Sequence, residues 1–442
     1  MKSLSMDITF PSLLSFAFPA TIMIVFMSLY TIVDGIFVSR YVGATALGAI
    51  NIILPAFMIF GSVGTLFGTG GNAIVARLMG EGKPEEGRKA FSMIVVIGAI
   101  STLVLGTLGL IFKTQFITLL GANEEIRPYC ETYLDILLPC GLIFALQGMF
   151  QSFFITAARP NTGLVLTILA GCANIGLDYL FIVVCDMGIA GAALGTVGSA
   201  MIPALIGCIL FFKKTGTLFF QKFSFKANII VKAMSNGSSE MVSSLASSLT
   251  TLMFNHMVIA YNGTAGVAAI SILFYMQYIF SSIFMGFSFG IAPLVSFNLG
   301  RKSMENLRKI LKFSLLVIGT YAILMFTIAK LAGNLFAGIF IDRTSLVFQL
   351  ASRGNRLFSP CFLFCGISIF ASSFFTALGD GKTSARISFL RTFFFTMAAL
   401  LLLPRLFGSD GIWLSIPTAE FLSAFVSVYF LSKKRTMFGF QK

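Results

Sequence analysis

Two stretches of this chain match each other, YVGATALGAINI at residues 41–52 and YNGTAGVAAISI at residues 261–272. They align without a gap at an offset of 220, which is close to half of the 442 residues. The same offset pairs GEGKPEEGRK at 80–89 with GRKSMENLRK at 300–309, and later Thr156-Ala157 with Thr376-Ala377. The chain is therefore a duplicated unit. In a membrane protein, this kind of duplication is typical of a transporter whose halves face each other across a central pathway.

The composition indicates a membrane protein. Apolar residues make up 57% of the chain, charged residues make up 11%, and the mean hydropathy is +0.93. Soluble globular domains have about 25% charged residues. A soluble enzyme is therefore excluded, and we expect no enzymatic activity.

Continuously apolar runs predict twelve transmembrane helices. Each run is at least as long as the ~20 residues that cross a hydrocarbon core as an α-helix, and none shows the alternation of a membrane β-barrel strand. The predicted spans are 11–37, 46–75, 91–112, 131–155, 162–184, 189–212, 229–259, 264–295, 310–333, 351–377, 385–406 and 411–431. The predicted fold class is thus an all-α integral membrane protein.

Six spans in each half make the two repeats parallel, because an even number returns the chain to the side on which it began. We predict an N-terminal lobe at 1–212, a cytoplasmic linker at 213–228 and a C-terminal lobe at 229–442, with a cleft between the lobes. Cytoplasmic loops retain Lys and Arg, and a cytoplasmic N-terminus puts most of the 31 basic residues inside. Both termini are then cytoplasmic. The net charge of +14 reflects topology and attraction to anionic membrane lipids, and we expect no nucleic-acid partner.

Four acidic residues fall well inside apolar spans: Asp34, Asp178, Glu240 and Glu420. A carboxylate at such a depth costs about 2.5–3.5 kcal/mol on insertion scales, so it is normally retained for an ion, a proton or a partner. The seven cysteines lie mostly in apolar runs without metal-ligand spacing. We predict no cofactor and no metal other than Na⁺ at Asp34 and Asp178.

One group of polar residues converges on a single depth in the first half. Asn174 and Asp178 share one helix face at i and i+4, and Asp34 and Thr196 lie at a similar distance from the outer ends of their helices. Two carboxylates, an amide oxygen and a hydroxyl suit a hard monovalent cation or protons shared between coupled acids. The alternative is that either acid only bonds a neighbouring hydroxyl or backbone group.

The other two acids occur in one half only, because the offset aligns Glu240 with Ala20 and Glu420 with Ala200. We expect Glu240 to line the cleft and attract cationic substrates, whereas Glu420 is open between a functional role and pairing with Arg391. Amide and aromatic side chains suit the contacts of a promiscuous cleft. The candidates for this surface are Gln147, Gln151, Gln277, Tyr275 and Phe150.

These residues, as a spaced set, resemble the multidrug and toxic compound extrusion (MATE) transporters, and most of all their bacterial multidrug-export branch. The resemblance rests on Pro19 followed fifteen positions later by Asp34, on Asn174-Ile175-Gly176-Leu177-Asp178, on Thr196, and on Asn236-Gly237-Ser238-Ser239-Glu240-Met241. It covers the whole chain.

The resemblance implies two six-helix lobes in a V shape in the bacterial plasma membrane, exporting bulky, often cationic or amphipathic drugs in exchange for H⁺ or Na⁺. It also implies that Asp34, Asn174, Asp178 and Thr196 hold the coupling cation, with a bend of the first helix at Pro19. A proline suits a bend because it removes one backbone hydrogen bond. The tenth predicted span contains no acid and Phe254 replaces Asp34 in the second half, so we expect coupling to reside in the N-terminal lobe.

A second class of transporter shares this architecture, namely flippases for lipid-linked precursors or polysaccharides. Such proteins need a cationic cavity for their anionic cargo. Arg353, Arg356 and Arg391 are the basic residues that would serve this function if they lined the cleft. A channel is a weaker alternative, because the sequence shows no pore-loop segment or selectivity ring.

Overall fold

The computed structural model describes residues 4–120, 122, 124 and 126–438, and the regular structure of these residues is helical. The first half forms six long helices. They are α1 (Phe10–Phe37), α2 (Ala44–Gly80), α3 (Pro84–Ile111), α4 (Arg127–Leu137 and Gly141–Thr156), α5 (Pro160–Asp178, continued by the π-helical turn Tyr179–Val184) and α6 (Gly188–Phe212).

The second half repeats this series. It comprises α7 (227–262), α8 (264–300), α9 (Met304–Phe340), α10 (Leu346–Phe358 and Cys361–Ala377), α11 (Gly381–Phe389, the π-helical turn Leu390–Phe394, and Phe395–Phe407) and α12 (Ser409–Lys433). The helices α7 and α8 follow each other without a loop, and Gly263, with φ of 61°, separates them.

The geometry of the two halves matches at the offset found in the sequence. Gly43 and Gly263 both adopt positive φ before α2 and α8, a region that glycine enters without steric cost. The two segments of α4 meet at 60°, and those of α10 meet at 59°. The prediction of an all-α fold with twelve helices in two parallel repeats is therefore confirmed.

Several helices are longer than the predicted spans. α9 has 37 residues, or about 55 Å at 1.5 Å per residue, and extends beyond the 310–333 run at both ends. At the N-terminal ends the predicted spans are too short because the charged first turns belong to the helices. Those turns remain helical with their own ion pairs, 2.7 Å for Lys89–Glu85 and 2.6 Å for Lys309–Glu305.

The halves pack together at the end of the bundle that carries the α2–α3 connection. A Cβ at Gly80 would collide with the carbonyl of Phe297, and a Cβ at Gly300 would collide with that of Arg77. The offset relates these two contacts to each other. Only glycine permits this approach of α2 to α8, so a pseudo-twofold contact closes this end.

The connection from α6 to α7, residues 213–226, is non-helical and packs against the first half. Phe220 stacks on Phe91 with 5.1 Å between ring centroids. The Arg88 Nε donates to the Thr217 carbonyl at 3.0 Å, and the Gln221 amide donates to the Ser92 hydroxyl at 2.9 Å. These contacts hold the connection beside α3.

Candidate cation site in the first half

The predicted cation-site residues lie where α1, α5 and α6 meet. Asn174 and Asp178 occupy the last α-helical turns of α5, just before its π-helical turn. Both are buried, with 2% and 0% of their surface exposed. Asp34 on α1 places its carboxyl group within hydrogen-bonding reach of that of Asp178. Two carboxyl groups therefore face each other in the first half.

Four oxygen atoms of this cluster are buried without a hydrogen-bond donor. They are the Oδ1 atoms of Asp34 and Asn174 and both carboxylate oxygens of Asp178. Buried polar groups are almost always satisfied, and a buried charge needs a compensating partner. The helices α1, α5 and α6 contain no Lys or Arg. The oxygens of this cluster thus have the chemistry of a site for a hard cation or for protons.

The fourth predicted residue, Thr196 on α6, completes the same cluster. Its hydroxyl donates to the Ala192 carbonyl at 3.0 Å and lies next to the phenol of Tyr133 on α4. Tyr133 is 7% exposed and lies close to both carboxylates. The structure brings all four predicted residues together and adds Tyr133, which the sequence analysis missed. A phenol inside an apolar span, which needs a polar partner when buried, was the available signal.

A second residue missed in the sequence is Gly195, which fixes the position of Asp178. A Cβ at Gly195 would collide with the Asp178 Oδ1 and would lie 3.3 Å from both its Cγ and its backbone nitrogen. α6 therefore leaves room for the Asp178 carboxylate only because residue 195 lacks a side chain.

Pro19 lies inside α1 and is buried, and α1 is helical on both sides of it. The neighbouring Ala17 and Ala20 pack against Gly290 of α8, where a Cβ would meet Ala20 at 3.0 Å. The N-terminal part of α1 thus packs against α8, which belongs to the second half of the protein, and the C-terminal part of α1 carries Asp34. The bending role of Pro19 stays a prediction.

A network of polar side chains connects Asp34's end of α1 to α4 and α8. Tyr30, one turn before Asp34, lies next to Gln147 on α4 and close to Tyr278 on α8. Tyr278 in turn lies next to Thr31. Gln147 therefore contacts the helix that carries Asp34.

The other predicted cleft residues have different surroundings. The Gln151 amide lies 3.5 Å from the Thr167 hydroxyl, Gln277 is half-buried on α8, and Tyr275 is 43% exposed and stacks on Phe340. Phe150 does not line a cleft. It is fully buried against Phe211, 5.3 Å away between ring centroids, because its face of α4 points into the core of the first half.

The two remaining acids of the apolar spans lie in the second half. Glu240 lines a cavity of about 20 Å³ between the halves, together with Asn72 and Ser152 from the first half and Thr376 from the second. The Glu420 carboxylate accepts hydrogen bonds from the Nε of Arg391 at 2.9 and 3.0 Å. Of the two readings of Glu420 left open by the sequence, the structure shows the pairing with Arg391.

The sequence profile of the MatE family matches residues 19–180 and 240–400, which cover the same part of each repeat. This chain belongs to the MatE family. The resemblance recognised from Pro19, Asp34, Asn174 and Asp178 is confirmed, and the protein is a membrane transporter.

Relatives along the full length agree with this MatE assignment. The chain is 26% identical over 436 residues to the multidrug export protein MepA of Staphylococcus saprophyticus, with 97% of this chain and 95% of the relative covered. MepA of Staphylococcus aureus is 24% identical over 433 residues, with the same coverage.

Solved structures share the MatE fold. An outward-facing multidrug resistance MATE transporter superposes with a TM-score of 0.91 at 19% identity, covering 97% of this chain and 96% of that one. A transporter from Pyrococcus furiosus, described as having a binding pocket of reverse polarity, gives a TM-score of 0.88 at 20% identity with the same coverage.

Two of the three arginines that an anionic cargo would require, Arg353 and Arg391, are paired with acids. Arg391 pairs with Glu420, and the Arg353 Nη2 lies 2.7 Å from the Asp410 carboxylate. Arg356 is exposed, and its carbonyl accepts a hydrogen bond from Lys330 at 3.3 Å. The charged side chain that lines the cavity between the halves is the acid Glu240.

Proposed function

We propose that this MatE protein is a cation-coupled antiporter that exports bulky, often cationic or amphipathic drugs across a bacterial plasma membrane in exchange for H⁺ or Na⁺. The observation that carries the proposal is the group of four buried oxygens without donors, three of them on the two facing carboxyl groups of Asp34 and Asp178, in helices that contain no basic residue. A mobile cation supplies the charge that these oxygens lack.

The drug-export part of the proposal is supported by the two full-length relatives, both described as multidrug export proteins. The distribution of Lys and Arg supports an orientation with both termini in the cytoplasm. In that orientation, the glycine contacts of α2 with α8 close the cytoplasmic side, and the cation site lies toward the outer side of the membrane.

Electrostatics explains how this site could drive transport. Two ionised carboxylates at close range in a low-dielectric interior repel each other, and either a proton or Na⁺ removes that repulsion. Occupancy of the site therefore favours an arrangement of α1 in which Asp34 and Asp178 stay together. Because the N-terminal part of α1 packs on α8, a shift of α1 changes the contact between the two halves of the protein.

Coupling then follows from linkage. The cation and the drug each shift the conformational equilibrium only by the difference in their affinities for the two arrangements of the lobes. We propose that a filled site lowers drug affinity in the outward-open arrangement, and that release of the cation inside the cell resets the transporter. Glu240 contributes negative charge for a cationic drug between the halves.

The test is uptake of ethidium into energised inverted membrane vesicles, which corresponds to export from the cell, with a Na⁺ gradient and a pH gradient imposed separately. Wild type should transport under one of the two gradients, which names the coupling ion. Asp34→Asn and Asp178→Asn should lose this transport at unchanged protein levels. Asp186→Asn is the matched control, because Asp186 is an exposed acid in the same half and should transport like wild type.

Dye movement that neither gradient drives would contradict the proposal, as would full activity in both site variants. The flippase alternative would then be examined with a lipid-linked pyrophosphate substrate. The ion pairs of Arg353 and Arg391 make an anionic cargo the less favoured of the two.

A further inference from the structure

Buried charge lies between the same three helices of each repeat, but its surroundings differ between the two halves. In the first half, α1 and α5 carry acids without a basic partner, and α6 contributes Thr196. In the second half, the equivalent helices are α7, α11 and α12, and the offset replaces all four cation-site residues by apolar ones. These are Phe254, Phe394, Ala398 and Ile416.

The second half nevertheless has an acid and a cation of its own on the equivalent helices. Arg391 belongs to α11 and Glu420 to α12, and the offset aligns them with Gly171 and Ala200. Those positions lie about one helical turn from Asn174 and Thr196, respectively. The acid–cation pair therefore lies beside the positions that correspond to Asn174 and Thr196, and about two helical turns along α11 from the position that corresponds to Asp178.

The pair is buried in the middle of the membrane-spanning bundle. Side-chain exposure is 18% for Arg391 and 7% for Glu420. Glu420 lies eleven residues from the start of α12 and thirteen from its end. A carboxylate at this depth needs a compensating cation, and Arg391 donates from one nitrogen to both of its oxygens.

The backbone around Arg391 is built to hold this side chain in place. Arg391 lies in the π-helical turn Leu390–Phe394, and such turns leave carbonyls without their usual α-helical partners. The Thr396 hydroxyl donates to the Arg391 carbonyl at 2.8 Å. The Thr250 hydroxyl of α7 donates to the Thr392 carbonyl at 2.9 Å. The turn is thereby tied to α7 while Arg391 reaches α12.

We infer that Arg391 is a tethered cation, which permanently occupies in the second half the role that an exchangeable cation fills in the first. This inference rests on the proposed cation coupling and extends it. Glu420 is then always neutralised, and the number of ions exchanged for each drug molecule is set by the cation site of the first lobe. Removing the Arg391 charge creates a second site that takes up a proton or Na⁺ at Glu420.

Other groups that titrate face this pair and must be controlled. Glu240 on α7 lies close to Arg391, and the thiols of Cys361 and Cys365 on α10 lie close to Glu420. Arg391→Gln/Glu420→Gln retains all three groups and removes only the pair. It is therefore the matched control for Arg391→Gln.

The test uses purified full-length protein in which Asp178→Asn disables the first site. The midpoint of thermal unfolding is measured against Na⁺ concentration at constant ionic strength and against pH. A ligand that binds only the folded state raises the midpoint with its concentration. We expect the Arg391→Gln variant to gain a rise in midpoint with added Na⁺ or with falling pH. The parent Asp178→Asn chain and the chain that also carries the double substitution should lack this rise.

Equal responses of Arg391→Gln and the double variant would overturn the inference, because Glu420 would then not seek a cation. If Arg391→Gln does not accumulate as folded protein, Arg391→Ala is prepared with millimolar guanidinium as a free replacement for the lost side chain. Recovery of folded protein supports the inference. No recovery with guanidinium, Na⁺ or low pH overturns it.

The same assay separates this inference from the proposed function. Wild type and Asp178→Asn are compared first, and a cation response that Asp178→Asn abolishes supports the first-half site. If wild type shows no response, the proposed coupling site fails. The comparison of Arg391→Gln with the double variant still decides the role of Arg391.

Discussion

Gly195→Ala tests whether the position of the Asp178 carboxylate matters. The new Cβ would overlap the Asp178 Oδ1 and would lie 3.3 Å from the backbone nitrogen of the same residue. The backbone of α5 cannot retreat without moving the whole helix, so the carboxylate oxygen must move by roughly 1.4 Å to regain an ordinary contact of about 3.5 Å. Overpacking of this kind costs about 1–3 kcal/mol.

The functional loss should be larger than the loss of folded protein. A displaced carboxylate removes one oxygen from the four that have no other partner. Changes to the groups that orient an ion's ligands reduce affinity by about 10–100-fold. We therefore expect the cation concentration for half-maximal ethidium efflux to rise by about 10–100-fold in Gly195→Ala.

The assay is gradient-driven ethidium efflux from vesicles that contain equal amounts of each protein, titrated with the coupling ion. Gly176→Ala is the matched control, because Gly176 lies on α5 between Asn174 and Asp178 but a Cβ there meets nothing within 4 Å. It should behave like wild type. If Gly195→Ala does so as well, the placement of Asp178 by α6 has no part in coupling.

Three further predictions follow from the contacts described. Tyr133→Phe removes the phenol hydroxyl beside Thr196. Loss of one hydrogen bond worth about 0.5–1.5 kcal/mol should weaken the apparent cation affinity by about 2–10-fold in the same titration, and an unchanged affinity would show that Tyr133 is not part of the site. Glu240→Gln should reduce efflux of cationic ethidium more than efflux of an uncharged substrate, and equal losses would indicate a structural role. Burial acts to raise the pKa of Asp380, but the hydrogen bonds that its carboxylate accepts from Lys434 and Thr383 outweigh burial and hold that pKa below its usual value of 3.8. The ion pair between Asp380 and Lys434 therefore stabilises the fold at neutral pH, and this stabilisation is lost as the pH falls through the lowered pKa. Lys434→Met should thus lower the unfolding midpoint at pH 7, with a smaller difference from wild type below about pH 4; a difference independent of pH would show that the charge of Asp380 is not involved.

Much of the architecture could be predicted because hydrophobic length and internal repetition are properties of the sequence itself. A run of about 20 apolar residues specifies a spanning helix regardless of its neighbours. The offset of 220 also marked where the chain bends, since Gly43 and Gly263 are matched in the sequence and both adopt positive φ. The helix ends were less predictable, because charged turns such as Glu85–Lys89 continue the helix into the polar region.

The side of each helix that faces the protein interior could not be predicted in the same way. In an aqueous protein, polar residues mark the outside of a helix, but a lipid-facing side is as apolar as the core. The sequence therefore predicts Phe150 in the cleft, whereas it packs against Phe211 in the core of the first half. Tyr133 was overlooked because its helix gives no sign of which neighbours it approaches.

By itself the sequence determined that this protein is a duplicated bundle of twelve membrane-spanning helices with acids inside its apolar spans. Because depth along a helix is proportional to residue number, the sequence also placed Asp34, Asn174, Asp178 and Thr196 at a common level. Only the tertiary structure decided which acids have partners. Glu420 meets Arg391, whereas Asp34 and Asp178 meet each other, because pairing depends on how helices distant in sequence rotate and approach, and glycines such as Gly195 set those approaches.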